Sequence, residues 1–504
     1  MSRWLLIIIV IALAVFFRLW HLASIPPGLF PDEAMNGNNA SEALATGNFK
    51  IFYVENNGRE GLFINLQALS IKMFGNTPFA LRFMAALFGI LSVIALYFFV
   101  RAYTGSNLAA FLAAFFMATS FWHIVLSRLG FRANMAPFFL TAGLALIYSA
   151  WRREAGRAHA KTLLISALGG ILFGLGFHSY IAYRIAPILL IFPLAIFIDK
   201  ARKNPDRCLL CIPAIFIFFA VLAGVPLGLY FLEHPSDFFG RTSQISIFSE
   251  GHILRDFLIN TGKTIGMFFF AGDFNWRHNF AGAPALWWPV ALLFLVGIAE
   301  TIRKKYFLLM VWLIFMMSPV LISSEGIPHA LRSIILIPAV FAIVGVGTES
   351  ALKLLPKRVA IIGFFILALL IIWNSYNFYF QKWARRPEVA QAFATELYDI
   401  GLYINTLPDD VQKYVITDEV QTIDVTGAPM ALEPILFVTK TYLPEPKGAR
   451  NIFYMTPAEF SKVSCQANCV IIPLGNRERV IELIKDSAGF VRLESRGSTI
   501  IIVP

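Results

Sequence analysis

Residues 79–101 read FALRFMAALFGILSVIALYFFVR, an apolar run in which Arg82 is the one internal charge. A membrane-spanning helix needs roughly 17–25 mostly apolar residues, and this run meets that length. Over 504 residues the chain is 58% hydrophobic and 14% charged, whereas soluble domains average about 25% charged. The sequence therefore predicts a polytopic α-helical membrane protein with about eleven transmembrane helices. The other predicted spans lie near residues 4–20, 107–126, 134–151, 162–179, 184–199, 208–231, 286–301, 306–322, 332–351 and 359–380.

The basic residues are distributed unevenly between the connections of these spans. Lys and Arg concentrate in cytoplasmic loops, so we expect the N-terminus to be cytoplasmic and the tail after residue 380 to be extracytoplasmic. The net charge of +11 then reflects topology, and the sequence does not favour a nucleic-acid partner. The basic connections are Arg101 and residues 151–161, 199–207, 301–306 and 352–358.

Two long outer loops and the tail divide the chain into modules. We expect residues 1–380 to form a transmembrane catalytic module whose outer loops, 21–78 and 232–285, form the active site. Residues 381–504 contain the strand-like runs YVIT, NIFYM, CVIIPL and STIIIVP and the helical patterns PEVAQAFATELYDIGLYINTLP and RERVIELIKD, which predicts a small extracytoplasmic α/β domain. Within the second loop, residues 257–272 are apolar but short and contain Lys263, so we expect an interfacial helix there.

The stretch FPDEAMNGNNASEALATG, residues 30–47, places two adjacent carboxylates just after the first predicted span. One interpretation is structural: Asp32 caps a helix, Glu33 lies in its first turn and Gly47 ends it. The other is functional, because Asp32, Asn36 and Asn39 share one helical face. Ionisable groups at a membrane are functional candidates by default, and both interpretations stay open.

Three further stretches supply basic residues on the expected outer side. In ENNGREGLF, Arg59 either pairs with Glu55 or Glu60 or serves as a planar fork for phosphate oxygens. The turn LSRLGFRANMAP carries Arg128 and Arg132 against the positive-inside bias. In SSEGIPHALRSI, His329 and Arg332 are three residues apart and fit one helical face.

The loop AGDFNWRHNFAG, residues 271–282, combines polar and aromatic side chains. Such a composition suits a sugar, because rings stack on its faces and polar groups bind its hydroxyls; packing against the tail explains it equally well. No Walker loop, no G-x-G-x-x-G after a strand and no cluster with metal-ligand spacing occurs in the sequence. The sugar or acceptor candidates are Asn36, Glu60, Asp273, Trp276, Arg277 and His278.

Over about the first 350 residues the chain resembles glycosyltransferase family 39, a group with the GT-C fold that includes protein O-mannosyltransferases and lipid A aminoarabinose transferases. In that family a first-loop Asp-Glu pair supplies the proposed catalytic base, which the resemblance assigns here to Asp32 beside Glu33. A basic residue of the second element binds the donor phosphate, here Arg59. Many members carry a second outer-loop aspartate that SRLGFRANMAP lacks, which argues against a two-carboxylate or metal-bridged mechanism. The resemblance is strongest at PPGLFPDEAMNGNNA, NGREGLFINLQALSIKMFG and TPFALRF.

The resemblance implies an inverting transferase that moves a sugar from a polyprenyl-phosphate donor to the hydroxyl of a lipid, glycan or protein acceptor. We expect Asp32 as the base, with Glu33 assisting it. Donor-phosphate binding is expected from Arg59, Arg128, Arg132, His329 and Arg332. The resemblance leaves a divalent metal open, and it suggests a bacterial inner membrane.

Two rival functions share the apolar composition and the outer arginines. A transporter or flippase of lipid-linked sugars would be expected to show paired repeats and midplane charges, which the sequence lacks. A non-catalytic scaffold would depend on residues 381–504 rather than on Asp32.

Overall fold

The computed structural model describes two compact units of the chain. The first unit comprises Met1–Ile25, Lys50–Leu66 and Arg82–Arg386, and the second comprises Pro26–Phe49, Gln67–Leu81 and Pro387–Pro504. The second unit thus contains most of the predicted tail together with two pieces of the first outer loop. The structure describes residues 3–503 except 154–159, 204–208, 245–246, 250–251, 418–429, 443–448, 464–467, 475–481, 483–491 and 497–498.

The elements are numbered in chain order. The helices are α1 (Arg3–Leu19), α2 (Pro31–Thr46), α3 (Gly61–Phe74), α4 (Pro78–Thr104), α5 (Asn107–Thr119), α6 (Phe121–Ser127), α7 (Met135–Arg153), α8 (Ala160–Leu175), α9 (Ile191–Lys203), α10 (Cys211–Glu233), α11 (Pro235–Gln244), α12 (Ile253–Gly266), α13 (Trp288–Arg303), α14 (Phe307–Phe315), α15 (Ser318–Leu321), α16 (Ile337–Lys353), α17 (Lys357–Tyr376), α18 (Pro387–Ala392), α19 (Thr395–Ile404), α20 (Glu433–Thr439) and α21 (Pro457–Phe460). The strands are β1 (Phe52–Tyr53), β2 (Arg59–Glu60), β3 (Gln412–Thr417), β4 (Ile452–Met455), β5 (Cys469–Leu474), β6 (Arg492–Arg496) and β7 (Thr499–Val503).

The apolar helices lie where the hydropathy of the sequence places them. Among the described residues, 7 helices are long and apolar enough to cross a membrane, or up to 8 if the bent pair α5–α6 forms one span. Each of the other predicted spans coincides with a shorter helix, namely α1, α13 and α14–α15. The protein is therefore an integral membrane protein, and the count of eleven spans stays a prediction. Helix α12, which covers most of the predicted interfacial segment, is not among the helices that are long and apolar enough to cross a membrane.

The bend between α5 and α6 exposes backbone carbonyls that must be satisfied inside the protein. The two helices differ in direction by 60°, because Ser120 between them has extended backbone angles. Ser375 donates its hydroxyl to the Thr119 carbonyl. Arg18, which is fully buried, donates to the carbonyls of Ala118 (3.0 Å) and Met117 (3.3 Å). A helix interrupted at membrane depth needs such partners, and the buried guanidinium supplies them.

Helices α8 and α10 pack through glycines rather than large side chains. A Cβ at Gly170 would collide with the Phe216 carbonyl, and one at Gly174 would collide with the Ala220 carbonyl. The two glycines are four residues apart and so share one face of α8. Small residues at this spacing let membrane helices approach closely, which is where their packing energy comes from.

The second unit contains a five-stranded sheet in the order β4-β3-β5-β7-β6. Strands β4, β3 and β5 are parallel, while β7 is antiparallel to both β5 and β6. Tyr414 pairs with Phe453 on one side and with Ile471 on the other. The strands predicted from YVIT, NIFYM, CVIIPL and STIIIVP are all present. The helix predicted at RERVIELIKD lies almost wholly outside the described residues.

One predicted helix of the tail is broken in the structure. The pattern PEVAQAFATELYDIGLYINTLP predicts a single amphipathic helix, but α18 ends at Ala392 and α19 begins at Thr395. Ala394 between them has left-handed backbone angles, with φ of 47°, which a non-glycine residue rarely adopts. The Thr395 hydroxyl donates to the Ala390 carbonyl at 2.8 Å and so satisfies one acceptor at the break.

We predict that Arg18→Met lowers the thermal unfolding temperature of the detergent-purified protein. The methionine matches the apolar stem but leaves carbonyls of the bend without donors, at about 1–3 kcal/mol for each group. Fluorescence-detected melting measures the effect. Arg202→Met, at an exposed position, is the matched control and should melt like the wild type. Equal melting of both variants would show that the bend does not depend on Arg18.

Candidate functional site

The two adjacent carboxylates at the start of α2 have different surroundings. The N-cap is Phe30 and Pro31 is the first helical residue, so Asp32 is not the cap that the sequence suggested. Glu33 is fully buried and accepts the Phe30 backbone N–H at 3.4 Å, which makes it the capping carboxylate. Asp32 is half-buried, and within the part of the chain that the structure describes no hydrogen bond or ion pair engages its carboxylate.

The asparagines of α2 hold the helix within the second unit. Asn38 donates to the Glu433 carboxylate at 2.6 Å and to the Glu433 backbone carbonyl at 3.2 Å. Asn39 donates to the Tyr442 hydroxyl at 3.3 Å, and Asn36 is buried. The face predicted to carry Asp32, Asn36 and Asn39 therefore becomes buried along its length, and Asp32 lies at its more accessible end.

Arg59 lies in the short hairpin β1–β2 of the first unit. Its side chain is only 2% exposed, and it donates to the Glu55 carbonyl at 3.2 Å and the Glu55 carboxylate at 3.4 Å. The pairing with Glu55, one of the two alternatives, is therefore present. The neighbouring Glu60 pairs elsewhere.

Arg132 and Glu60 form a close ion pair. Their atoms Nε and Oε2 are 2.6 Å apart, and Arg132 also donates to the Gly58 carbonyl at 3.3 Å. The pair joins the turn between α6 and α7 to the β1–β2 hairpin. Lys50 lies 3.9 Å from Glu55, and Arg184 acts on Glu60 and Arg132 through its charge.

The contacts of Arg128 favour a structural role over the predicted contact with phosphate. The side chain is fully buried, and its Nε donates to the Tyr379 hydroxyl at 3.0 Å. Its remaining nitrogens donate at 2.8–3.0 Å to three backbone carbonyls, those of Phe17, Trp20 and Ile25. The guanidinium thereby secures the C-terminal end of α1 and the residues that follow it.

Another cluster in the first unit contains Asp273 and His278 from one loop and His329 from a second loop. The Asp273 Oδ2 atom lies 3.5 Å from Nδ1 of His278 and 3.7 Å from Nδ1 of His329. The loop around Asp273 is fixed by its own bonds, since Oδ1 accepts the Asn275 N–H at 2.8 Å and the Gly282 N–H bonds the Asp273 carbonyl at 2.9 Å. The three side chains form a group that could hold a metal ion.

The charges around this cluster set its protonation. Burial, followed by the charge of His278, lowers the pKa of His329 to about 3, against the opposing charge of Asp273. Burial by itself raises the pKa of Asp273, but His278 and the Asn275 N–H hold that pKa below its usual value. At neutral pH the His329 imidazole is therefore uncharged. It offers a hydrogen bond or a metal ligand rather than a positive charge for phosphate.

The other predicted site residues of these two loops, Arg332, Arg277 and Trp276, make hydrogen bonds within the first unit. Arg332 donates to the Glu325 carbonyl at 2.8 Å and to the Ser323 hydroxyl. Arg277 donates to the Asn275 side chain at 3.2 Å. The Trp276 carbonyl accepts the indole N–H of Trp383 at 2.9 Å.

An apolar cavity of about 280 Å³ lies in the first unit beside the α5–α6 bend. Its walls come from α5, α17 and the segment that leads into α13. The polar groups at the cavity include Ser120, Asn374 and Ser375. Its apolar lining includes Phe116, Phe121, Trp287, Trp288, Ile371 and Phe378.

Comparison with protein families and relatives supports the resemblance noted in the sequence. Residues 53–235 match the model of the dolichyl-phosphate-mannose-protein mannosyltransferase family. An undecaprenyl phosphate-alpha-4-amino-4-deoxy-L-arabinose arabinosyl transferase of Edwardsiella ictaluri is 27% identical over 241 residues, which are 45% of this chain and 41% of that protein. An uncharacterized protein of Aquifex aeolicus is 26% identical over 178 residues, 34% of this chain and 35% of that protein. The chain thus spans less than half the length of either relative.

Solved structures share the fold over a larger part of the chain. ArnT from Cupriavidus metallidurans, solved bound to undecaprenyl phosphate, matches with a TM-score of 0.59 and 14% identity, covering 98% of this chain and 97% of that chain. The apo oligosaccharyltransferase of Archaeoglobus fulgidus matches with a TM-score of 0.53 and 15% identity, covering 87% and 64%. The predicted polytopic GT-C fold is thereby confirmed.

The sequence did not predict that Asp273, His278 and His329 lie together. Each residue was a candidate for another role, and nothing in their spacing resembles a metal-ligand motif. The proximity arises because the loop before α13 and the loop before α16 meet, which local patterns do not encode.

We predict that Asn38→Asp destabilises the second unit. The substitution keeps the side-chain shape but replaces a hydrogen bond with two carboxylates at the same 2.6 Å contact with Glu433, which costs about 1–3 kcal/mol or more. Limited proteolysis of the purified protein, with cleavage sites mapped by mass spectrometry, measures opening of the unit. Asn48→Asp, at an exposed position after α2, should leave the cleavage rate unchanged.

Proposed function

We propose that this protein is a membrane glycosyltransferase that moves a sugar from a polyprenyl-phosphate donor to an acceptor hydroxyl, with inversion at the anomeric carbon. The match of residues 53–235 to the mannosyltransferase family is the observation that carries the proposal. The whole-chain likeness to ArnT, which was solved with undecaprenyl phosphate, supports a lipid-phosphate donor. The acceptor hydroxyl belongs to a lipid, a glycan or a protein.

Asp32 is proposed as the general base. A base must have an accessible carboxylate that is not committed to another contact, and Asp32 meets this condition while its neighbour Glu33 is buried in the helix cap. The base takes the proton of the acceptor hydroxyl while the hydroxyl oxygen forms a bond to the anomeric carbon. The bond between that carbon and the phosphate oxygen breaks, and polyprenyl phosphate leaves. Such proton transfer contributes on the order of 10²–10⁴-fold to the rate.

Arg59 and Arg132 are proposed to stabilise the departing phosphate. The leaving group is already an anion, so it needs positive charge and N–H donors rather than a general acid. Arginine presents several N–H groups in a planar fork that fits phosphate oxygens. Both side chains lie in one cluster with Glu55 and Glu60, which keeps the guanidinium groups oriented.

The other predicted site residues take smaller parts in the proposal. Arg332 remains a candidate for the donor phosphate. Trp276 and Arg277 remain candidates for the sugar, since an indole face and a guanidinium suit a hydroxylated ring. Arg128 is left out because its hydrogen bonds are used within the protein.

The cavity beside the α5–α6 bend is proposed to receive part of the isoprenoid chain. Its lining is almost entirely apolar and aromatic, which suits a hydrocarbon ligand. We further propose that the protein resides in a bacterial inner membrane with a cytoplasmic N-terminus. Residues 381–504 are then extracytoplasmic, as are the parts of the first loop that belong to the same unit.

We predict that Asp32→Asn reduces sugar transfer by about 10²–10⁴-fold while the thermal unfolding temperature changes little. Membranes with either form receive radiolabelled polyprenyl-phosphate hexoses and extracts that contain candidate acceptors, and release of polyprenyl phosphate is followed. The amide keeps the shape of the carboxylate but cannot accept the proton.

Glu388→Gln is the matched control, because Glu388 is an exposed carboxylate that also follows an initial proline, in α18. This variant should transfer sugar at the wild-type rate. Full activity of Asp32→Asn would remove Asp32 as the base. Lipid that crosses the bilayer without release of phosphate would instead identify a transporter.

We predict that Arg59→Gln raises the KM for the donor by about tenfold or more, since hydrogen bonds to charged groups contribute about 1.5–3 kcal/mol. Arg59→Lys keeps the positive charge but loses the planar guanidinium. Its KM for the donor should lie between that of Arg59→Gln and that of the wild type. Steady-state kinetics over a range of donor concentrations gives both values. A KM unchanged in two variants that melt like the wild type would contradict the assignment.

A further inference from the structure

Asp273, His278 and His329 bring three metal-binding atoms together from two loops of the first unit. The ligand atoms of the three residues all lie within 4.8 Å of one another, and the two imidazole rings have centroids 5.0 Å apart. Asp273 and His278 are buried and His329 is largely so. One loop precedes α13 and the other precedes α16, so a common ligand would join them.

The distances fit ligands of one ion better than direct hydrogen bonds. Oδ2 of Asp273 is 3.5 Å from one Nδ1 and 3.7 Å from the other, beyond the 2.7–3.2 Å usual for N–H···O bonds. Around tetrahedral zinc, with bonds of about 2.0–2.2 Å to nitrogen and carboxylate oxygen, neighbouring ligand atoms are roughly 3.3–3.5 Å apart. The two separations from Asp273 are close to that range, whereas the limit of 4.8 Å for the whole group requires the side chains to close around an ion.

The surrounding contacts hold the carboxylate in place. Asp273 accepts the Asn275 N–H on Oδ1 and the Ala330 N–H on Oδ2, both at 2.8 Å. Outer hydrogen bonds of this kind orient metal ligands. The second bond also ties the Asp273 loop to the residue that follows His329. The Arg332 N–H reaches Nδ1 of His329 at 3.3 Å, a long bond that leaves Nε2 as the alternative ligand atom.

Two arginines lie near the cluster and act on His329 through their charges. Arg332 donates to the Glu325 carbonyl and the Ser323 hydroxyl, while Arg277 donates to Asn275. Their charges weaken the attraction for any cation, so affinity has to come from the ligand atoms themselves. Two imidazoles and one carboxylate are typical ligands of zinc and its first-row neighbours, whereas magnesium and calcium prefer oxygen.

We propose that Asp273, His278 and His329 bind one divalent transition-metal ion of the zinc class. The three side chains leave a fourth coordination position for water or another non-protein ligand, as in open zinc sites. The ion fastens the loop before α13 to the loop before α16. This proposal is independent of the proposed glycosyl transfer.

The experiment titrates Co²⁺ into full-length protein that carries no histidine tag and has been stripped with chelator in detergent. Visible absorption bands that rise to about one equivalent, disappear on addition of Zn²⁺ and persist in excess Mg²⁺ are expected. Absence of bands in the folded wild type, or bands that Mg²⁺ removes, overturns the proposal without bearing on sugar transfer.

Variants then identify the ligands. His278→Gln is expected to weaken Co²⁺ binding by more than about 100-fold, above the 10–100-fold typical for loss of an outer partner. His252→Gln, at an exposed position in the same unit, is the control and should bind like the wild type. Asp273→Cys should add a near-ultraviolet thiolate-to-cobalt band, which a misfolded protein would not produce in proportion to one bound ion. Wild-type affinity in His278→Gln, or a cysteine variant that binds Co²⁺ without that band, places the ion elsewhere and contradicts the assignment.

Discussion

A backbone carbonyl inside a bilayer has no water to bond, so each interruption of a helix must bring its own donors. The α5–α6 bend depends on this constraint. It turns the chain by 60° and frees carbonyls that Arg18 and Ser375 satisfy. Arg18 also lies 2.7 Å from Nδ1 of His123 in α6, so one buried side chain from α1 holds both halves of the bend. The apolar cavity lies beside the same bend, and its polar groups come from the break, at Ser120, and from α17, at Asn374 and Ser375.

The same requirement separates the arginines into two kinds. Arg18 and Arg128 direct their donors at backbone carbonyls, and Arg128 also lies over the rings of Tyr379 and Phe380. Arg59 and Arg132 instead pair with the carboxylates of Glu55 and Glu60. The phosphate proposed to bind there would meet guanidinium groups that are already buried and held by carboxylates. Charges fixed in advance stabilise a developing anion without further reorganisation.

Much of the fold could be predicted because its determinants are local. Apolar runs give the positions of the membrane helices, and the strand runs of the tail give β3, β4, β5 and β7. The failures depend on contacts between distant residues. The sequence near Arg128 does not predict its three carbonyl partners. The membership of α2 in the second unit rests on bonds from Asn38 to Glu433, and the Asp273 cluster rests on the meeting of two loops.

The two carboxylates that begin α2 show how one turn of helix produces two chemical environments. Successive residues of a helix point about 100° apart, so Asp32 and Glu33 cannot face the same surroundings. Glu33 points back to the Phe30 N–H and becomes buried, which stabilises the helix start. The rotation that buries Glu33 leaves Asp32 half-exposed in the first turn of the helix. Because Glu33 supplies the capping carboxylate, the base proposed at Asp32 is not needed for the stability of the first turn.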